Sequence, residues 1–483
     1  MNLAQLARRD FLATSASGLG GIALTSLLQQ DGLLAADTLS GLKVKNQKAK
    51  ACIFIFMAGA PSHLDLFDPK PKLNEMSGEK LPKSVLDKAR FAFIKPDTAT
   101  LMGSKRTFKK HGQCGMEFSD LLPHMGSVAD DLLMVRSMHS DEFNHHPGQL
   151  LMQCGVSRFG MPSMGSWLTY GLGSESNDLP GYVVLTAGRG SSGGATLWQS
   201  GFLPSNYAGV LFRTQGEPVL NLENPAGLPQ KLQRQGLSTL NFLNRTRHEK
   251  IHDPEIAARI ASYELAGRMQ TAAPELSDLS GESKSTLEAY GLNRPEPAKL
   301  GGRGKSGETY KDFARNCLLA RRMVERGVRF INIVHASWDH HSRLDNELAY
   351  NAGAVDQPIA ALIKDLKERG MLDDTMVVWG SEFGRTPLGE NRGGNTKNVT
   401  GRDHHPFCFS MCLAGGGIKG GQVYGKTDDI GWSIEEDPVH PNDLHATMLH
   451  LFGIQHEQLT YKFQGRDFRL TDVAGRVIPE WLA

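Results

Sequence analysis

The segment "HASWDHHSRLD", residues 335–345, sets three histidines and two aspartates directly after the apolar run "VRFINIV". Imidazole and carboxylate groups at this density suit metal ligation, because both present lone pairs to a divalent cation near neutral pH. If extended backbone continues through Asp339 and His341, their i, i+2 spacing turns both side chains to one side. Other stretches repeat the form. "APSHLDLFDP" carries His63, Asp65 and Asp68 after "ACIFIFMAG". "MHSDEFNHHPGQ" carries His139, Asp141, Asn144, His145 and His146 after "LLMVRS", and "SEFGRT" carries Glu382 and Arg385 after "TMVVWG". One cluster inverts the order: Arg402, Asp403, His404 and His405 precede the apolar run "FCFSMCLAGGG".

The convergent candidates for metal are Asp65, Asp339, His341, Glu382 and His404. Imidazoles mixed with carboxylates favour zinc, manganese or iron, whereas an all-carboxylate set would favour magnesium or calcium. One ion would activate water; two close together would also clamp a phosphoryl or sulfuryl group. Arg385 or Arg402 could hold an anionic oxygen bidentately. His111, His248, His252 and His456 read as ordinary surface or core histidines, and Asp68-Pro69 as the start of a turn.

Positioning such groups requires strands that end together. Six short runs read as buried strands: 51–59, 132–137, 181–187, 328–334, 375–380 and 407–415. Amphipathic helices are predicted at 310–327 and 351–372, the second interrupted by Pro358 and stopped by Gly370. Strands alternating with helices predict an α/β fold, a mostly parallel sheet covered on both faces. In such sheets ligands bind beyond the carboxyl ends of the strands. For Arg402–His405 to reach that edge, the strand after them must run antiparallel, and this is the expectation.

The rest of the chain narrows the class. Its 53 Lys and Arg balance 52 Asp and Glu, so no charge excess points to nucleic acid. Mean hydropathy is below zero, which predicts a soluble globular protein. The N-terminal "ARRDFLATSASGLGGIALTSLLQQDGLLAAD" has paired arginines, a mild apolar stretch and small residues near Ala35–Ala36. Residues 1–36 therefore read as a twin-arginine signal, with a mature domain over 37–483, no transmembrane span after its removal, and a periplasmic or extracellular destination. A cap or insertion is expected at about 188–305, first rich in Gly, Ser, Asn and Pro, later charged and helical. The six cysteines form no Cys-x-x-Cys pair and read as structural.

"AGAPSHLDLFDPKP", "FARNCLLARRMVERGVRFINIVHASWDHH", "LDDTMVVWGSEFGRTP", "GRDHHPFCFSMCLAGGGIKGGQVYGKTD" and "FQGRDF" together resemble the exported domain-of-unknown-function 1501 family, grouped with the alkaline phosphatase/sulfatase superfamily. The resemblance implies an alkaline-phosphatase-like three-layer α/β/α sandwich with insertions, a two-metal site and action on phosphate or sulfate esters. It matches Asp65 to the first metal aspartate, Asp339 and His341 to the mid-chain ligands, Glu382 to the later acidic ligand, and His404 to the last histidine, with His405 its competitor. Phe383 stands where the superfamily carries a further histidine.

The superfamily's nucleophile is absent too. Asn144, His145 and His146 occupy the stretch where a hydroxyl is expected, and "CGVSR" has Val156 where a formylglycine motif needs proline, leaving Cys154 as a packed helix residue. Ser62 and Ser140 are the alternative hydroxyls. A hydrolase lacking that group would use metal-activated water, with His145 or His146 as a ligand or general acid–base. The reading is an exported metal-dependent hydrolase of an anionic ester, with glycan-linked esters among its candidate substrates. Its competitor is a catalytically silent relative that binds glycans or envelope components.

Overall fold

A computed structural model describes residues 44–87, 91–188, 190–214, 216–225, 227–297, 308–394 and 399–483. The expected signal at 1–36 and the last residues of the expected insertion lie outside the described residues. No helix among the described residues is long and apolar enough to cross a membrane.

The strands that build the site and its support are β1 (Ala51–Ala58), β2 (Leu132–Met138), β3 (Tyr182–Ala187), β4 (Val210–Phe212), β5 (Phe330–Ala336), β6 (Thr375–Gly380), β7 (Gly384–Gly389), β8 (Arg402–His405), β9 (Phe409–Ala414) and β10 (Gln422–Tyr424). All but β7 and β8 join one eight-stranded sheet, ordered β10-β2-β9-β6-β1-β5-β3-β4. Every pairing in it is parallel except those of β9, which runs antiparallel to β2 and β6. The expected reversal is therefore present. The six predicted strands form, shifted by up to two residues. The edge strands β4 and β10 are three residues each, too short to carry a periodic signal.

The helices relevant here are α1 (His145–Cys154), α2 (Met164–Leu172), α3 (Gln230–Ile251), α4 (Pro254–Ser277), α5 (Lys284–Tyr290), α6 (Thr309–Glu325), α7 (Leu344–Glu368) and α8 (Pro441–Leu451). In β1 the alternating side chains Ile53, Ile55 and Met57 pack with α6 and α7, and Cys52, Phe54 and Phe56 pack with α1, α2 and α8. A strand apolar on both faces needs cover on both, and the result is a three-layer α/β/α sandwich. Helix α7 begins seven residues before the predicted start and runs continuously through Pro358, which forfeits one backbone hydrogen bond but sits on a buried, well-packed face. Cysteines 52, 154, 317, 408 and 412 are buried and unpaired, and burial pushes the Cys154 thiol up to about 12, as suits a packing role.

Between β4 and α6 the chain forms a helical hairpin. His252, at φ +56°, turns α3 into α4, and the Asp253 side chain caps α4 by accepting from the Glu255 amide. Side-chain bonds from Asn241 and Arg245 to Glu264, and from Gln270 to Gln233, mark the two helices as antiparallel. Helix α4 buries Met269, Ala272, Ala273 and Leu276 in the body, whereas α3 buries no residue.

Register explains how distant residues meet. Ala58 pairs with Ala336, Phe56 with Gly380, and Met138 with Phe409. The segments leaving β1, β2, β5 and β6 and the one entering β9 thus share one edge of the sheet.

Candidate metal centre

Asp339 stands at the middle of this edge. Its loop presses on β1 so tightly that a Cβ on Gly59, at φ +115°, would lie 2.7 Å from the Asp339 amide nitrogen, so only glycine fits. Three imidazoles surround the carboxylate. Nε2 of His341 lies 2.7 Å from Asp339 Oδ1, Nε2 of His145 3.0 Å and Nε2 of His404 3.4 Å. Nη2 of Arg385 donates to the same oxygen at 2.7 Å.

The far nitrogen of each ring is held. His145 Nδ1 lies 2.8 Å from Glu382 Oε1, His404 Nδ1 lies 2.6 Å from the Phe143 carbonyl, and His341 Nδ1 bonds Glu390 Oε2. Each of these partners is an oxygen, so in a neutral ring the proton sits on Nδ1 and Nε2 keeps a lone pair, whereas a charged ring also donates from Nε2 to Asp339. With all three rings neutral, three lone pairs would face a carboxylate that also offers only lone pairs. Among the described residues the buried His145 Nε2 has no hydrogen-bond partner of normal geometry. Such an arrangement either gains protons or takes a cation. Ligand atoms of His145, Asp339, His341 and His404 all lie within 4.8 Å of one another, and together they could hold one divalent ion. A set of three imidazoles and one carboxylate suits zinc, manganese or iron better than magnesium or calcium.

The electrostatics follow. Burial would raise the Asp339 pKa, but the three imidazoles and Arg385 outweigh it and hold the carboxyl far below the usual range. Burial likewise works against charge on His145 and His341, yet their carboxylate partners carry both pKa values above the ordinary 6.5. His404, with burial unopposed by a second carboxylate and with Arg385 nearby, is pushed down to about 4.

Three His-His pairs feed this region, and each sends one ring to Asp339. On α1, His145 turns in, while His146, about 100° further round, bonds Thr196 Oγ1 at 3.1 Å. On β8, His404 sits across from Arg385, and the next residue, His405, points away to the Trp432 carbonyl at 2.8 Å. Beyond β5, His341 turns in, while His340 is buried against Asn351, where burial lowers it to about 3.

Several expected positions differ. Asp65 is not in the cluster: its oxygens accept from Ser62 Oγ and Ser104 Oγ at 2.6 Å each and from Arg402 Nε at 2.9 Å, a closed and buried ion pair. Glu382 is fully buried one layer behind, accepting from the Gly59 amide, Gln149, Ser381 and His145. Its carboxylate braces a ring and does not face the cluster. Arg385, completely buried, donates to the carbonyls of Gly59, Ala60 and Arg402 as well as to Asp339, which leaves no fork for a ligand. Arg402 is equally buried against Asp65 and the Thr386 carbonyl. His146 is turned away, as described.

Glu390 and Gln149 escaped the sequence reading. Gln149 had a legible signal, since i, i+4 spacing puts it on the His145 face of α1. Glu390 had none, because it follows a hairpin strand rather than an apolar run.

A cavity of about 360 Å³ opens on the cluster, lined among others by His145, Asp339, Gln149, Ser191, Ser192 and Glu347. Neither Ser62, which is bonded to Asp65, nor Ser140, whose hydroxyl accepts from the Glu142 amide, lines it.

Fold and side chains together define an α/β/α protein with three histidines and an aspartate gathered at the carboxyl edge of its sheet. Over residues 49–482 the sequence matches the family described as Protein of unknown function (DUF1501), and the chain belongs to that family. No curated protein matches it. Among solved structures it is similar to Ps i-CgsB in complex with k-i-k-neocarrahexaose, at 11% identity over 85% of this chain and 74% of that one, with a TM-score of 0.38. It is also similar to the PsFucS1 sulfatase from Pseudoalteromonas sp., at 13% identity over 93% and 72%, with a TM-score of 0.33. A protein in the alkaline phosphatase superfamily from Vibrio parahaemolyticus gives 9% identity over 86% and 70%, with a TM-score of 0.35. At such scores the functional reading rests on the side chains alone.

Proposed function

We propose that this chain is an exported, metal-dependent hydrolase of phosphate or sulfate esters whose cation is held by His145, Asp339, His341 and His404. One observation carries the reading: three imidazoles, each with its Nδ1 held by an oxygen, aim their Nε2 atoms at one aspartate beside a cavity. Outer partners that fix the tautomer and raise ligand basicity are what metal-bound histidines need. A divalent cation there would supply Lewis acidity toward an anionic oxygen and acidify water toward neutral pH.

The chain's own groups have narrower tasks. Glu382, Glu390 and the Phe143 carbonyl hold the rings in orientation. Arg385 fixes the Asp339 carboxylate and adds to the imidazoles' hold on its ionised form. The substrate would enter through the cavity on the Gln149 and Ser192 side. The exported destination rests on the N-terminal arginine pattern alone.

A specific observation favours a second reading, a catalytically silent relative that binds a metal and an envelope glycan. Both arginines suited to clamping an anion are fully buried in protein contacts. Elemental analysis of the purified protein, followed by aryl phosphate and aryl sulfate turnover, separates the two. The hydrolase reading expects bound transition metal and turnover, both lost in His341→Ala. Metal without turnover favours the binder, and turnover that survives complete chelation overturns the metal centre.

A further inference from the structure

Helix α3 is the least buried long helix among the described residues. It packs on α4 through Gln233, Leu237 and Asn241, and not one of its residues is buried. The side chains of Leu232, Leu240, Phe242, Leu243 and Ile251 are left 46–68% exposed. At 100° per residue Leu232, Phe242 and Leu243 lie on the side of the helix away from α4, and large apolar side chains sharing a water-facing side mark an interaction surface, since scattered single exposures would need no explanation. The same helix carries Lys231, Arg234, Arg245, Arg247 and Lys250 against one acidic residue, Glu249, and all five cations are exposed, Arg245 in an ion pair with Glu264 of α4.

We propose that the outer face of α3 docks on an anionic lipid bilayer. Apolar side chains interleaved with cations are the composition of a helix lying in a lipid interface, where the apolar groups enter the acyl boundary and the cations meet headgroup phosphates. Charge decides between this occupant and a second copy of the chain. Two α3 helices packed antiparallel across a twofold axis would bring the cations of one end against those of the other at both ends, which is destabilising. A negatively charged surface with an apolar layer beneath it answers both features at once. The inference does not rest on the hydrolase reading: α3 contributes no group to the metal centre.

The test is co-sedimentation of the full chain with phosphatidylcholine vesicles, with and without phosphatidylglycerol. Binding is expected to the mixed vesicles, to weaken with added salt, and to be slight with phosphatidylcholine alone. The double substitution Phe242→Ser/Leu243→Ser and the double reversal Lys231→Glu/Lys250→Glu should each weaken it by about tenfold or more. Circular dichroism melting checks that both variants stay folded, as expected for exposed positions. Equal binding to neutral and anionic vesicles, or binding unchanged in both variants, overturns the proposal. So does a concentration-dependent dimer in analytical ultracentrifugation that the Phe242→Ser/Leu243→Ser change disrupts, because a second copy would then be the occupant.

Discussion

Asp65 and Asp339 follow adjacent parallel strands, and each accepts a hydrogen bond from a buried arginine. There the likeness ends. The remaining partners of Asp65 are hydroxyls, which bring their own protons, so the carboxylate is satisfied and its side chain is 4% exposed. The remaining neighbours of Asp339 are imidazole nitrogens of rings whose far side is already held by an oxygen, so each can give up its near proton to a cation, and the Asp339 side chain is 20% exposed at a cavity. A carboxylate at a strand end is a structural anion or a candidate ligand according to whether its neighbours are permanent donors or rings that can exchange a proton for a cation.

Asp339→Asn gives the largest expected contrast. It keeps the side-chain volume and removes the charge, so metal content measured by elemental analysis should fall to background and ester turnover with it. Asp65→Asn should leave metal per folded molecule unchanged. A metal content that tracks Asp65 and ignores Asp339 would reverse the assignment.

Stability should divide the two sites the other way. Arg402→Ala leaves Asp65 buried without its cation, a loss of about 3–5 kcal/mol in urea unfolding. Acid sharpens the point. Burial would raise the Asp65 pKa, but Arg402 and the two hydroxyls outweigh it and hold the value below the ordinary 3.8. A depressed carboxylate stabilises the fold above its unfolded pKa, and that stabilisation is lost as pH falls through the folded value. Acid unfolding from about pH 5 to pH 2 should therefore be less steep in Asp65→Asn than in the unaltered protein.

The outer layer comes next in size. Glu382→Gln keeps the shape behind His145 but weakens the hold on its Nδ1 proton, and should lower metal affinity by about 10–100-fold in a chelator competition. The same change would have little effect if His145 were only a packed ring.

How much of this was legible follows from the same contrast. Apolar runs with sharp ends gave away the strands, and five polar clusters beside those ends gave away the shared edge, including the need for β9 to reverse. What a sequence hides is direction within a cluster. Asp65 and Asp339 look alike in it, since nothing in "SHLD" says that Ser62, Ser104 and Arg402 close around the carboxylate. Glu390 is hidden for a different reason. The β7–β8 hairpin that delivers it is polar and fully buried, so it lacks the alternation by which strands are recognised.

The His-His pairs carry the smallest and most discriminating prediction. Adjacent residues on a helix point about 100° apart, so one ring of the pair at 145–146 must leave the cluster, and the sequence does not say which. The helix starts at His145, and the ring that Glu382 holds is the one aimed at Asp339. His146 instead bonds Thr196 and meets the Phe159 ring edge-on. His146→Ala should therefore leave metal content unchanged and alter turnover by no more than about twofold, while His145→Ala loses the metal. Equal losses in the two variants would mean that α1 is rotated in the loaded protein. The comparison thus tests the register of one helix against the sheet edge that it completes.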